Sequence, residues 1–345
     1  MGKRKYDVDI DLANQTKSEM AESLITTDKR VMNRIGAFAS LYDFKFPEYK
    51  NPVLVMKTEE PGSKQLLAFQ NNRIESICYD MINHLINDCI VMGAKPLIVQ
   101  DAIVCGKIEK ETIKRIVAAI SKCCLENECS LTGGETTEQP GVLEAGAYVL
   151  TSSIIGIVEK ENIIDGSKIK KGNIVIGVES SGLHTNGYTL VRKLLIENPE
   201  LKNKVINNKC FFDLVMEPHR SYYNSLKDLF PKKIINGLAH ITGGGIKENL
   251  NRILPENYNA QIYLEKYQIL DVFKEIKKTG SISDEEMIRI FNMSVGLAVV
   301  TDENNADIII NHFKKFNINS YVIGDIINGS QKVITKGQFS WEDNK

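Results

Sequence analysis

The chain has 345 residues, 43% hydrophobic and 25% charged, a globular composition with enough length for two cores. Lysine and arginine total 43 against 44 for aspartate and glutamate, so no overall field draws it to nucleic acid or an anionic membrane; any anion site has to be local. Apolar runs such as 295–300 fall far short of the roughly 20 residues that cross a bilayer, and residues 1–6 lack signal-peptide character, so a cytoplasmic location is expected.

Residues 1–34 are polar and weakly periodic, which predicts an N-terminal arm with short helical pieces, ordered by a partner surface. From residue 51 strand and helix alternate. Residues 52–56 form a short apolar run, and 73–92 carry helical periodicity through Ile77, Met81, Leu85 and Cys89. On that helix Asp80, His84 and Asn87 share the opposite face, with Asp88 beside them. Residues 96–104 read as a strand, 109–126 as a helix, 130–132 as a strand entering a Gly133-Gly134 turn, and 148–158 as a long strand. The charged, lysine-rich stretch 159–172 is the expected joint, with a boundary near Ile164 separating domains 35–164 and 165–345.

The second half repeats one device, a strand followed by a glycine turn and a helix: 173–179 before a helix at 188–197, and a strand ending at His240 before a helix at 246–254. A further helix begins near Asp284 and runs to Asn292, with Phe291 and Met293 as core residues.

The two turns, Ser180 to Gly187 and His240 to Gly245, combine small residues with a following helix start, a pattern that suits phosphate and equally a plain tight turn. Two in one domain, each with a histidine, favour an anionic ligand. Neither matches the common nucleotide-binding glycine loops. In the first half Glu59 and Glu60 precede Gly62-Ser63-Lys64, Asp101 closes a strand, and Glu135 follows Gly134; carboxylates at loop ends suit Mg²⁺ carried by a nucleotide, and each alone also reads as a surface group. His84, His219 and His312 are expected to be structural or surface residues. Seven cysteines include no Cys-x-x-Cys pair, so neither a disulfide framework nor a zinc site is expected.

Taken in order, Ile86-Asn87-Asp88, Gly93-Ala94-Lys95-Pro96-Leu97, Gly106-Lys107, Gly133-Gly134-Glu135-Thr136, Ser180-Ser181-Gly182, Asn186-Gly187-Tyr188, Ala239 through Gly245, and Glu286-Met287 make the chain resemble aminoimidazole ribonucleotide synthetase, the phosphoribosylformylglycinamidine cyclo-ligase. The match starts at Val8-Asp9-Ile10-Asp11 and spans most of the chain. The resemblance implies a two-domain α/β (α+β) fold, with N-terminal domains pairing into a dimeric β-barrel and a C-terminal α/β sandwich. It implies ATP-dependent cyclisation of formylglycinamidine ribonucleotide in de novo purine biosynthesis, through a phosphorylated amide, by a homodimer using ATP and Mg²⁺, with no nucleic-acid or membrane partner.

Carried over by position, His240, Asn186 and Lys64 would be catalytic, and Asp80, Asp88, Asp101 and Glu135 would hold the metal. Nucleotide or phosphate contacts would add Glu59, Gly62, Ser63, Asn87, Gly133, Gly134 and Thr136 in the first half. In the second they would add Ser181, Gly182, His184, Gly187, Thr242, Gly243, Gly244 and Gly245. Two departures from the family pattern, the charged, stiffened loop at Glu60-Pro61 and Val149 in place of an acidic residue, leave open a paralogue that activates another amide or carboxylate, or a non-catalytic nucleotide-binding subunit.

Overall fold

The apolar run with β-branched Val53 and Val55 makes Pro52–Glu59 the strand β1, alternately exposed and half-buried, the first long element of a computed structural model that describes residue 15, residues 28–33 and residues 37–342. The arm expected over 1–34 and the 8–11 segment lie almost wholly outside the described residues. Two units are compact in themselves: residues 1–89 with 94–160, and residues 90–93 with 161–345.

In the first unit, β1 is followed by α1 (Lys64–Gln70), α2 (Ile74–Ile90), β2 (Lys95–Cys105), α3 (Lys110–Glu126), β3 (Ser130–Glu138) and β4 (Tyr148–Glu159). The strands lie in the order β1-β4-β2-β3, and only β2 and β3 run parallel. That parallel pair needs a long crossover, which α3 supplies by burying Ile113, Ile116, Val117 and Ile120. Phe46, Leu97, Ile98 and Ile157 form a small apolar cluster, each side chain contributing roughly 1.5–3 kcal/mol on burial.

Two expectations change here. The 73–92 segment is helical, but its polar face is not open: Asp80 and Asn87 are as fully buried as Ile77 and Met81 opposite them. Periodicity reports which residues share a face, not whether that face meets water. Nor do Gly133 and Gly134 form a turn; both lie inside β3, paired with Gln100 and Asp101. A side chain at Gly134 would reach within 2.2 Å of the Asp101 carbonyl and carboxyl oxygens, so glycine there makes room for Asp101.

The second unit holds β5 (Asn173–Glu179), α4 (Tyr188–Glu197), the short hairpin β6 (Val205–Ile206) and β7 (Lys209–Cys210), α5 (Phe211–Val215), α6 (Tyr223–Leu226), β8 (Gly237–His240), α7 (Gly245–Asn251), β9 (Tyr258–Tyr263), α8 (Asp271–Gly280), α9 (Asp284–Ile290), β10 (Val295–Asp302), α10 (Ala306–Lys314), β11 (Ser320–Asn328) and β12 (Val333–Lys336). Its sheet order is β12-β9-β11-β5-β10-β8, antiparallel except for β12 beside β9. Central β10 reads Val-Gly-Leu-Ala-Val-Val because both its faces are covered. It pairs Leu297 with His240 and Val295 with Glu179, which brings the ends of β5 and β8, and hence both glycine turns, to one end of the sheet.

Ser283 starts α9 by accepting the Glu286 N–H at 3.2 Å while its hydroxyl donates to the Glu286 carboxylate at 3.0 Å. The helix stops at Ile290, two residues before the expected end, because Phe291 turns to extended backbone and Met293 and Ser294 take left-handed φ of 48° and 71°. All seven cysteines are free thiols and six are buried. Among the described residues no helix is long and apolar enough to cross a membrane.

Candidate functional site

The first unit sets its acidic residues in a row. Glu59 of β1 faces Ser152 of β4, Ser152 faces Asp101 of β2, and Asp101 faces Gly134 of β3, whereas Glu135, paired with Ala102, points to the opposite face and leaves the row. Directly paired residues share a sheet face, and strands lie about 4.8 Å apart, so the Glu59 and Asp101 backbones stand roughly 10 Å apart on one face. The Ser152 hydroxyl reaches the Met81 sulfur at 3.3 Å, so this face looks at α2.

Asp88 of α2 joins that row. Lys57 places its ammonium 2.9 Å from Glu59 and 3.2 Å from Asp88, and His84 Nε2 lies 3.9 and 3.8 Å from the same carboxylates. Burial opposes the Lys57 charge, yet its hydrogen bonds to Glu59 and Asp88 outweigh that and hold its pKa above the ordinary lysine value. Asp101 has the opposite situation. It keeps some solvent contact, but the protein packed around its carboxyl pushes its pKa up to about 7, with only its own backbone hydrogen bond resisting. Glu135 is exposed and caps the Thr136 N–H at 2.9 Å.

Lys64 and Asp80 are revised by the structure. Both are fully buried, and the Lys64 ammonium lies 2.9 and 2.7 Å from the two Asp80 oxygens. Asp80 therefore serves as counter-ion to Lys64 rather than as an open metal ligand, and Lys64 is not a surface cation waiting for phosphate. The preceding loop shows why the charged Glu60 is tolerated: Pro61 is buried as the anchor, Gly62 takes φ 63°, and Glu60 points into solvent. Asn87 is wholly buried behind Asp88.

The second unit joins its two turns directly. A side chain on Gly243 would sit 3.2 Å from the Asn186 amide oxygen, so Asn186 of the first turn borders the triple glycine of the second. His184, His219 and His240 gather beside them, with ligand-capable nitrogens all within 4.8 Å of one another. His219 and His240 meet Nε2 to Nε2 at 2.9 Å, and His219 stacks on His184 at 3.8 Å. His184 takes φ 61° and its Nε2 accepts the Ser181 N–H at 3.2 Å. The Ser181 hydroxyl in turn donates to the Pro218 carbonyl at 2.6 Å.

Both turns are braced by asparagines that sequence reasoning passed over. Asn292 donates to the Gly182 carbonyl at 2.9 Å and receives the Ser180 hydroxyl at 3.2 Å. Asn249 donates to the carbonyls of Gly243 and Gly245, at 3.1 and 2.9 Å, and takes the Thr242 hydroxyl at 3.2 Å. The braces leave the turn N–H groups, rather than the carbonyls, as the groups to serve a ligand. Gly187, at φ 83°, starts the ten-residue α4, whereas α7 has only seven residues and a correspondingly weak dipole. Lys57 and Ser152 also belong to these clusters without having been singled out, and His219, expected to be a structural or surface residue, joins His184 and His240.

The architecture is shared by thiamine-monophosphate kinase from Stenotrophomonas maltophilia K279a, with a TM-score of 0.69 at 15% identity over 95% of this chain and 96% of that one. Hydrogenase maturation protein HypE, solved in complex with ATP, gives 0.68 at 13% identity over 94% and 90%. Family models described as AIR synthase related protein match residues 43–158 with the N-terminal domain and 170–336 with the C-terminal domain, which defines the class. Within it, the chain is 36% identical over 338 residues to a protein of Bacillus mycoides (strain KBAB4), covering 97% of this chain and 98% of the relative. It is 38% identical over 331 residues to one of Carboxydothermus hydrogenoformans, covering 95% of each. Both relatives are named phosphoribosylformylglycinamidine cyclo-ligase, and the chain belongs to that family.

Proposed function

We propose that the chain closes the imidazole ring of aminoimidazole ribonucleotide at the expense of ATP, in purine biosynthesis. The observation that carries this is the juxtaposition of both glycine turns, Asn186 against Gly243 and His184 beside His240 through His219, in a chain of the cyclo-ligase family. An amide oxygen leaves poorly until it is phosphorylated. The γ-phosphoryl group of ATP passes to it, the β–γ bridge breaks, and ADP departs. The amidine nitrogen then bonds to the activated carbon, phosphate leaves, and the nitrogen gives up a proton.

Such chemistry asks for positioned charge more than for a covalent nucleophile. The donor set of the first unit is all carboxylate, and Asp101, whose pKa stands near 7 without a neighbouring cation, fits a group awaiting one. We assign Asp88 and Asp101, with Glu59, to Mg²⁺ and the phosphates of ATP; bound there, the ion would neutralise phosphate charge, and Glu135, on the other face of β3, is left out of the metal set. Asn87 backs Asp88, and Gly62, Ser63, Gly133, Gly134 and Thr136 shape the surrounding backbone. In the second unit the N–H groups of Gly182, Gly187 and Thr242 to Gly244 receive anionic oxygens, while those of Ser181 and Gly245 are spent inside the turns on His184 and the Thr242 carbonyl, and Asn186, His184 and His240 orient the reacting amide. Lys64 acts from inside, as the buried partner of Asp80. The exposed apolar side chains of Leu54 and Met56 on edge strand β1 support pairing of two first units in a homodimer.

The deciding experiment supplies purified protein with formylglycinamidine ribonucleotide and Mg²⁺-ATP and follows ADP and imidazole together. Equal amounts of both are expected. ADP without imidazole means that ATP is cleaved without ring closure on this substrate, and neither product means no catalysis.

A further inference from the structure

His219 was expected to be structural, yet it lies between the two histidines of the glycine turns. All three rings are buried, with exposures of 0% for His184, 1% for His219 and 5% for His240. Their packing leaves little slack: a side chain on Gly296 of β10 would sit 2.6 Å from His184 Cε1 and 2.1 Å from the Tyr222 hydroxyl, and Tyr222 is itself fixed to the Glu179 carbonyl at 2.9 Å.

Three imidazoles this close suggest two chemistries, a metal ion or a shared proton. Ligands of one ion turn ring edges toward a common point. Here His184 and His219 lie face to face, with 21° between their planes, and His184 Nε2 already accepts a backbone N–H. The Nε2 atoms of His219 and His240 are separated by 2.9 Å, a hydrogen-bond distance, and two facing ring nitrogens can hold that bond only if one carries the proton and the other does not. In the neutral pair the tautomers are thereby coupled and opposite: whichever ring carries its proton on Nε2, the other carries it on Nδ1.

We propose that His219 is a positioning residue for His240: through the Nε2–Nε2 hydrogen bond it holds the His240 ring in place and ties its tautomer to the opposite of its own. His240 ends β8 immediately before the turn in which Gly243 borders Asn186, so a ring free to flip would present the wrong nitrogen to a ligand there. His219 reaches this position from the segment between α5 and α6, where the Pro218 carbonyl is tied to the Ser181 hydroxyl, so the first turn and the hydrogen-bond partner of His240 are held by the same loop. The consequence for catalysis rests on the assignment of His240 to the substrate in the proposed function; the tautomer claim does not.

The test uses full-length protein with ¹⁵N-labelled histidine, practicable because the chain has five. In the wild type, His240 should give the chemical shifts of the tautomer opposite to that of His219. His219→Leu, close in volume and unable to hydrogen-bond, should move them toward a tautomer mixture, and His219→Gln should restore much of the single-tautomer pattern. In the ring-closure assay, His219→Leu should lower kcat on the order of tenfold to a hundredfold with KM for ATP unchanged, and His219→Gln should recover most of it. If the leucine variant does not fold, His219→Asn, too short to reach His240, replaces it with the same expectations. Unchanged His240 signals in the leucine or asparagine variant overturn the proposal, as does stoichiometric Zn²⁺ binding by the wild type that is lost with His219. A wild type inactive on formylglycinamidine ribonucleotide sinks the proposed reaction and leaves the tautomer measurement to decide this one.

Discussion

Asp101 illustrates how a single side chain can cost stability at a position proposed to serve a ligand. Its folded pKa is raised from 3.8 to about 7, so between those values the folded chain holds a proton that the unfolded chain has released. Unfolding is therefore eased as pH rises from about 4 to about 7, and the full penalty stands above that range. Each pKa unit corresponds to about 1.4 kcal/mol, and solvent contact reduces the whole to roughly 2 kcal/mol. Asp101→Asn should gain about that much in urea unfolding at pH 8, a gain that shrinks toward pH 5, while weakening Mg²⁺-ATP binding in calorimetry. Opposite signs in the two measurements are what separates a ligand carboxylate from a structural one. The Lys64–Asp80 pair predicts the reverse pattern. Replacing Lys64 by Met strands a fully buried carboxylate and should cost about 3–5 kcal/mol, whereas the double change Lys64→Met with Asp80→Leu should recover much of the loss.

At the scale of elements the glycine turns carry the most specific geometry. Gly187 has φ 83°, and a side chain there would come 2.1 Å from the buried Phe291 ring. Gly172 has nearly the same φ, 84°, but open space around it. Gly172→Ala should therefore lose only the backbone cost, about 1 kcal/mol, while Gly187→Ala adds overpacking and should lose roughly 2–4 kcal/mol in thermal unfolding, with the start of α4 displaced. These turns were legible in the sequence because positive φ and close approach demand glycine itself. The strand and helix alternation was legible because branched and periodic residues write it locally. What the sequence did not disclose depends on partners remote along the chain. Asn292 meets Gly182, 110 positions earlier, and Asp80 meets Lys64 across a loop and a turn of helix, so neither the brace nor the ion pair leaves a local mark. Gly133 and Gly134 misled for a related reason: a double glycine usually marks a turn, and only the neighbouring strand shows that the space belongs to Asp101.

For the whole molecule the open question of assembly centres on the edge strand β1. Leu54 is 43% and Met56 73% exposed, both on one side of a strand whose free edge is a pairing hazard unless it is covered. Phe38, Leu41 and Phe44, in the same unit, add further exposed apolar surface. A monomer would keep that area in water at about 25 cal/mol per Å², a cost that the proposed homodimer would relieve. Changing Leu54 to Lys and Met56 to Glu inserts charge into the paired face while leaving the alternation of β1 and its eight-residue register with β4 intact. Sedimentation velocity should then show the wild type at twice the 38.7 kDa chain mass and the variant at the single-chain mass, with the second unit's melting transition unmoved. A variant that still sediments as a dimer would move the interface away from β1, and a wild type that is monomeric at micromolar concentration would remove it altogether.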